Sequence, residues 1–245
     1  MDLRTTMPGT DPTDTRARPM PDPAWGQRSS GEPRWPASLA VLAILVLYWL
    51  LPERLTVGPT WIVPALALAL LVPLSLAAPR RRSPEATWAR LAALALLALV
   101  NLANLGSLIL LVEALLQGRS LVGHTHLDGR TLLLSSVAIW LTNVLVFALW
   151  YWELDRGGPD DRARPQHRHP DFLFPQMTTP GCADARWTPS FIDYTYVAFT
   201  NATAFSPTDT MPLTPWAKAL MTVQSLASLL TVALVAARAV NILGS

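Results

Sequence analysis

The sequence predicts an all-α membrane protein of five transmembrane helices plus a short re-entrant helix before the last span. Three observations carry this. Hydrophobic residues make up 51% of the chain and charged residues 15%. The apolar residues are gathered into blocks, each near the ~20 residues that cross a bilayer. The last third has the order short helix, compact polar break, long apolar helix.

The blocks are Ala37–Leu51, Trp61–Ala78, Leu91–Leu116, Thr131–Trp152 and Ala217–Leu243. The first is the shortest, and Tyr48-Trp49 extends it as an interfacial anchor. Trp61, Trp88, Trp150, Tyr151, Trp152 and Trp216 also stand at block ends, where an aromatic belt falls. The blocks lack the polar stripe of a surface helix, which argues against a soluble bundle. Ser83-Pro84, Thr188-Pro189 and Thr214-Pro215 each set a capping hydroxyl before a proline at a first helical position. Pro64 and Pro73 inside the second block predict a kinked or shortened helix, tolerated where neighbours satisfy the freed carbonyls.

Residues 1–36, rich in Pro, Thr, Asp and Arg, are expected to be a disordered tail, because they bury too little apolar surface to offset ordering. Their apolar stretch starts too late for a secretory signal. Residues 37–245 form one helical membrane domain. Within it, 153–187 is a long polar loop, and 188–243 holds the re-entrant helix, its loop and the last span. The charged part of the long loop is expected to be solvated and irregular. Phe172–Phe174 is too apolar for that, and should pack on the membrane surface or the rim of the bundle.

A net charge of +2 gives no footprint for nucleic acid. The single cysteine, Cys182, excludes an internal disulfide. His124-x-His126 and His167-x-His169 sit in loops and read as solvated pairs rather than metal ligands. No phosphate loop, nucleophile elbow or zinc-helix motif is present, so no catalytic residue, metal or cofactor is assigned and the chain is not read as an enzyme. Asn201-Ala202-Thr203 has the form of a glycosylation sequon but falls inside the short helix.

Polar residues inside the spans are costly in lipid and should face the bundle interior. Asn101 and Asn104 share a face of the third block, with Glu113 further along it. Asn143 lies in the fourth block and Gln224 in the fifth. They either fix packing by interhelical hydrogen bonds or line a polar pathway.

The short helix has Phe191, Thr195, Ala198 and Ala202 on one face, and Asp193 near its N-terminus, where the helix dipole favours an acid. About fifteen residues rise roughly 22 Å, too short to span. The stretch Thr200-Asn201-Ala202-Thr203-Ala204-Phe205-Ser206-Pro207-Thr208-Asp209-Thr210-Met211-Pro212 resembles the pore signature of tetrameric potassium channels. There, a threonine-rich helix end runs into a filter and then Asp-x-x-Pro, matched here by Asp209 and Pro212. The family's filter glycines are replaced by Phe205, Ser206 and Pro207. The carbonyl ladder those glycines permit is therefore not expected here.

The run Asp171 to Asn241 also resembles an uncharacterised family of bacterial five-helix membrane proteins, through Phe174-Pro175, Asp193-Tyr194-Thr195-Tyr196, Ser206 to Asp209 and Val240-Asn241. That resemblance implies a multi-pass protein of the bacterial plasma membrane. It carries no activity with it.

The potassium-channel resemblance implies a pore-loop channel-like protein with a non-standard filter, for cations or small polar solutes. Thr200, Thr203, Ser206, Thr208 and Asp209 would surround the pathway, and their oxygens suit a hard cation. One such loop per chain would need a homo-oligomer in the lipid bilayer, a tetramer if it forms a pore. The alternative is a non-transporting scaffold or sensor in which Ser206–Pro212 is only a turn, made of ordinary turn residues. Arginines in the tail and in the second and fourth loops set the N-terminus in the cytoplasm. A potassium-channel-like loop enters from outside, so the two arguments oppose each other.

Overall fold

The computed structural model describes residues 32–66, 68–69, 84–117, 129–163, 169–179, 181–183, 187–203 and 209–243. The protein is mostly helical. Its main helices are α1 (Trp35–Trp49), α2 (Pro84–Gln117), α3 (Gly129–Leu154), α4 (Phe191–Thr203) and α5 (Pro215–Leu243). Two two-residue strands, β1 (Phe172–Leu173) and β2 (Met211–Pro212), pair antiparallel, with Phe172 opposite Pro212 and Leu173 opposite Met211.

Among the described residues, three helices are long and apolar enough to cross a membrane: Arg90–Ala114, Gly129–Gly157 and Pro215–Ala236. The fifteen residues of α1 rise only about 22 Å against the ~30 Å of a hydrocarbon core. Of the second apolar block, residues 62–66 and 68–69 are helical, and its remainder from residue 70 lies outside the described residues. Of the five expected spans, the third, fourth and fifth are thus helices of spanning length. Residues 1–31 of the expected tail are also outside the described residues, and Trp35-Pro36 opens α1.

The side chains are distributed for an apolar surround. Leu102, Ile109, Leu134, Leu226 and Leu229 are exposed, while Asn104, Ser107, Thr142, Asn143, Gln224 and Ser228 are buried. Water would drive the reverse arrangement. In lipid, apolar side chains can face outward, and polar groups must find partners inside.

α3 is the central helix. Two thirds of its apolar stretch is buried, against one third for α2 and about one sixth for α5. It packs on α1, α2, α4 and α5. The run Val146, Phe147, Ala148, Leu149 is buried without a break, which requires neighbours on every side.

The ends fix the directions. Arg34, just before α1, pairs with Asp160 at 2.7 Å, and Arg90 near the start of α2 reaches the Glu153 carbonyl at 3.3 Å. Both α1 and α2 therefore begin where α3 ends, and run antiparallel to it.

Helix starts follow the local chemistry. Thr214 caps α5, accepting the Lys218 N–H on its carbonyl at 3.1 Å and the Ala217 N–H on its hydroxyl at 3.4 Å, with Pro215 first in the helix. α4 begins two residues later than Thr188-Pro189 predicts. Ser190 is its cap, because the Asp193 carboxylate reaches back to accept the Ser190 N–H at 2.7 Å and its hydroxyl at 2.8 Å. Asp193 is the acid that the helix dipole favours at this end.

Candidate functional site

Two polar clusters are built around α3. The first lies in the bundle interior. Gln224 of α5 is fully buried. Its Oε1 accepts the Tyr151 phenol at 2.5 Å and Asn201 Nδ2 at 2.8 Å. Its Nε2 donates to the Ala198 carbonyl at 2.8 Å. Asn143 Nδ2 reaches the Gln224 carbonyl at 3.5 Å, and Ser225 Oγ donates to Asn201 Oδ1 at 2.9 Å.

Helices α3, α4 and α5 are thus joined through one amide. Asn143 and Gln224, singled out as interior groups, do meet. Their partners Tyr151 and Asn201 were not recognised: Tyr151 read as an aromatic anchor and Asn201 as part of a sequon. Among the described residues, the Oδ1 atoms of Asn101, Asn104 and Asn143 and Ser228 Oγ are buried without a hydrogen-bond partner. Glu113 is half-buried further along α2.

The second cluster lies at the end of α3, where the charged part of the long loop was expected to be solvated. Asp155, Arg156 and Arg162 are instead buried, Asp160 and His169 are exposed, and residues 164–168 lie outside the described residues. The chain folds back sharply here. Arg156 is left-handed at φ 55° and ψ 23°, followed by Gly157 at φ 89° and Gly158 at φ 96°. A Cβ on Gly157 would come within 2.6 Å of Asp161 Oδ2, and one on Gly158 within 3.0 Å of the Glu153 carbonyl. Positive φ and these close approaches favour glycine at both 157 and 158. The reversal carries the single turn Pro159–Arg162 back onto the bundle.

Each buried charge has an ion-pair partner, and among the described residues Arg156 Nη1 and Nη2 have no hydrogen-bond partner. Arg162 forks onto Glu32, Nε at 2.8 Å and Nη2 at 3.0 Å, and its Nη1 donates to the carbonyls of Trp152 at 2.6 Å and Asp155 at 2.9 Å. Trp152 Nε1 also donates to Glu32, at 2.7 Å. Asp155 accepts the Tyr194 phenol at 2.5 Å, Arg156 Nε at 3.0 Å and the Asp171 N–H at 2.8 Å. Asp171 in turn accepts the Arg156 N–H at 2.9 Å. Pairing and hydrogen bonding of this kind let ionised groups remain inside. Burial, opposed by the Arg162 guanidinium 5.1 Å over its ring, pushes the Tyr194 phenol well above its ordinary pKa.

The same cluster holds the apolar part of the loop. Phe172 and Phe174 pack edge-on against Tyr194, and Phe172 also meets Tyr151. The Asp171 carbonyl accepts the Leu213 N–H at 2.8 Å beside the β1–β2 pair. The path of the last third follows. α4 starts beside Asp155 and runs along the bundle until Asn201 lies next to Gln224. By Met211 the chain is back at the Asp155 end, and α5 starts there. Arg34, Arg90, Arg156 and Arg162 all stand at this same end.

Of the five pathway residues, Ser206 and Thr208 lie outside the described residues. The Thr200 hydroxyl donates to the Tyr196 and Val197 carbonyls at 2.8 and 3.1 Å, and that of Thr203 to the Phe199 and Thr200 carbonyls at 3.1 Å. Asp209 is exposed and accepts the Thr210 hydroxyl at 3.4 Å. His169 and Cys182 are exposed, and the other histidines fall outside the described residues. Among the described residues, no three His, Cys, Asp or Glu are placed to hold a metal ion.

Fold and clusters together define a helical bundle with, among the described residues, three helices able to cross a membrane, and a short helix pinned against the last of them. No known protein family, curated protein or solved structure matches the chain.

Proposed function

We propose that the protein is a channel-like integral membrane protein of the bacterial plasma membrane. It has five spans, a cytoplasmic N-terminus and a re-entrant pore hairpin with a non-standard filter. The observation that carries the reading is the path of residues 191–214: a helix of thirteen residues leaves the Asp155 end, and β2 is back at that end before α5 begins. Thirteen residues rise about 20 Å, less than a hydrocarbon core, and non-helical backbone is tolerated at membrane depth only where protein or a cavity surrounds it. The hairpin and the arginines share one end of the bundle, so on the arginine bias it enters from the cytoplasm. Several copies, four if they close a ring, bring Thr200, Thr203, Ser206, Thr208 and Asp209 around one axis, where their oxygens serve cations or small polar solutes.

The test is flux in liposomes reconstituted with the full chain, wild type beside Asp209→Ala. Cation flux that the substitution lowers several-fold supports the reading. No flux under any gradient overturns it.

A second reading, a non-transporting scaffold or sensor, is favoured by one observation. The hydrogen bonds of Asn201 and Gln224 are packing bonds, and the hydroxyls of Thr200 and Thr203 are turned back on their own helix. Cross-linking in native membranes separates the two. A closed ring with Asp209 near its axis favours the channel, and a monomer favours the scaffold.

A further inference from the structure

Between α4 and α5 lies an open groove of about 470 Å³. Lys218 and Thr222 stand at its upper end, and Leu226, Leu229 and Val232 continue it downward. The hairpin supplies the other wall, through Asn201, Ala202 and Thr203. We propose that this groove binds an anionic phospholipid, its phosphate against Lys218 and one acyl chain along Leu226, Leu229 and Val232.

Level, length and charge all point to that occupant. Trp216, 79% exposed at the start of α5, is the residue type that settles at headgroup level. Lys218 is exposed two positions on. Positions 218, 222, 226, 229 and 232 recur at helical spacing and form one stripe. From Lys218 to Val232 the stripe descends about 21 Å, enough to pass from the headgroups through one leaflet, whose hydrocarbon half is ~15 Å. Its order, cation above and branched aliphatics below, is the order of headgroup and chain in a phospholipid.

The groove's own hydroxyls are already satisfied. Thr222 donates to the Lys218 carbonyl at 2.8 Å, and Ser225 donates to Asn201 at 2.9 Å. The ammonium has no ion-pair partner among the described residues, so the group still needing a partner is a cation at the membrane surface. Cationic pockets between membrane helices select anionic headgroups on these terms. The lipid would brace the hairpin wall, whether or not anything passes through the protein.

The test uses the full chain in detergent, titrated with phosphatidylglycerol or phosphatidylcholine while thermal unfolding is followed. Phosphatidylglycerol is expected to raise the midpoint by at least about 2 °C more than phosphatidylcholine, as preferential binding to the folded state requires. Lys218→Gln should abolish that difference. Leu226→Trp, which fills the groove from an exposed position, should abolish it too. Arg130→Gln, an exposed cation at the opposite end of α3, should leave it intact. Equal midpoints in the two lipids, persistence of the difference in Lys218→Gln or Leu226→Trp, or an equal shift from inorganic phosphate alone would overturn the proposal. So would a wild-type oligomer that Leu226→Trp dissociates, since the groove would then be filled by a second copy of the chain.

Discussion

The Tyr194 phenol donates a hydrogen bond to Asp155 at 2.5 Å, with both side chains buried. That bond joins the residue that follows the central helix to the first turn of the hairpin helix. Asp155 also accepts the Asp171 N–H beside β1, so one carboxylate sets where α4 starts and where the strand that receives β2 lies.

Tyr194→Phe removes the shortest of the bonds to Asp155 and leaves that carboxylate one donor short. The expected loss is about 1–3 kcal/mol of stability, read as a lower unfolding midpoint in detergent. Loss of protection should concentrate in residues 191–203 by hydrogen exchange. A change below a few tenths of a kcal/mol would show that the bond does not hold α4 in place.

The same phenol predicts an alkaline limit. Its folded pKa lies above the ordinary value of 10.0 because burial disfavours the anion. As pH rises past 10 the unfolded chain loses this proton and the folded chain keeps it. The stability is therefore fully present below pH 10 and is lost as pH rises above it, at about 1.4 kcal/mol per unit from this group. Unfolding midpoints measured from pH 9 upward should fall less steeply in Tyr194→Phe than in wild type. Parallel curves would contradict the assignment.

Glu32→Gln or Arg162→Met alone strands a buried charge, at an expected cost of about 3–5 kcal/mol each. The double substitution should recover part of that loss, because the uncompensated charge disappears with its partner. A double-mutant cycle on unfolding free energies measures the coupling. Strict additivity would mean that the fork contributes no pairing.

In the interior, Asn201→Ala and Gln224→Ala should be strongly non-additive, with a coupling of about 0.6–2 kcal/mol, as for hydrogen bonds between membrane helices. Any change in flux should follow from movement of α4, so the two single variants should alter flux alike. Opposite effects would separate the packing role from a pathway role.

Gly158→Ala places a methyl group 3.0 Å from the Glu153 carbonyl at φ 96°. The cost should be about 1–3 kcal/mol of strain, seen as reduced stability with an unchanged helical spectrum. A neutral result would show that the reversal after Asp155 can take another course.

Much of the local design was legible in the sequence. Thr214-Pro215 fixed the start of α5, because a hydroxyl cap and a first-position proline are read within four residues of chain. Asn143 and Gln224 were recognisable as interior groups, because an amide in an apolar block has nowhere else to go. The buried charges were not legible. Asp155, Arg156 and Arg162 sit in a run that, taken alone, looks solvated, and the Gly157-Gly158 reversal was the one local sign of order.

By itself, then, the sequence determined three apolar helices able to cross a membrane, the start of α5 and the interior setting of Asn143 and Gln224, since bilayer thickness, capping and the cost of unpaired groups act on short stretches of chain. Only the tertiary structure decided that Glu32 neutralises Arg162 across 130 positions, and that Tyr194 meets Asp155. The same holds for the return of the hairpin to β1. Those contacts depend on which helix ends come together, and neither composition nor periodicity carries that information.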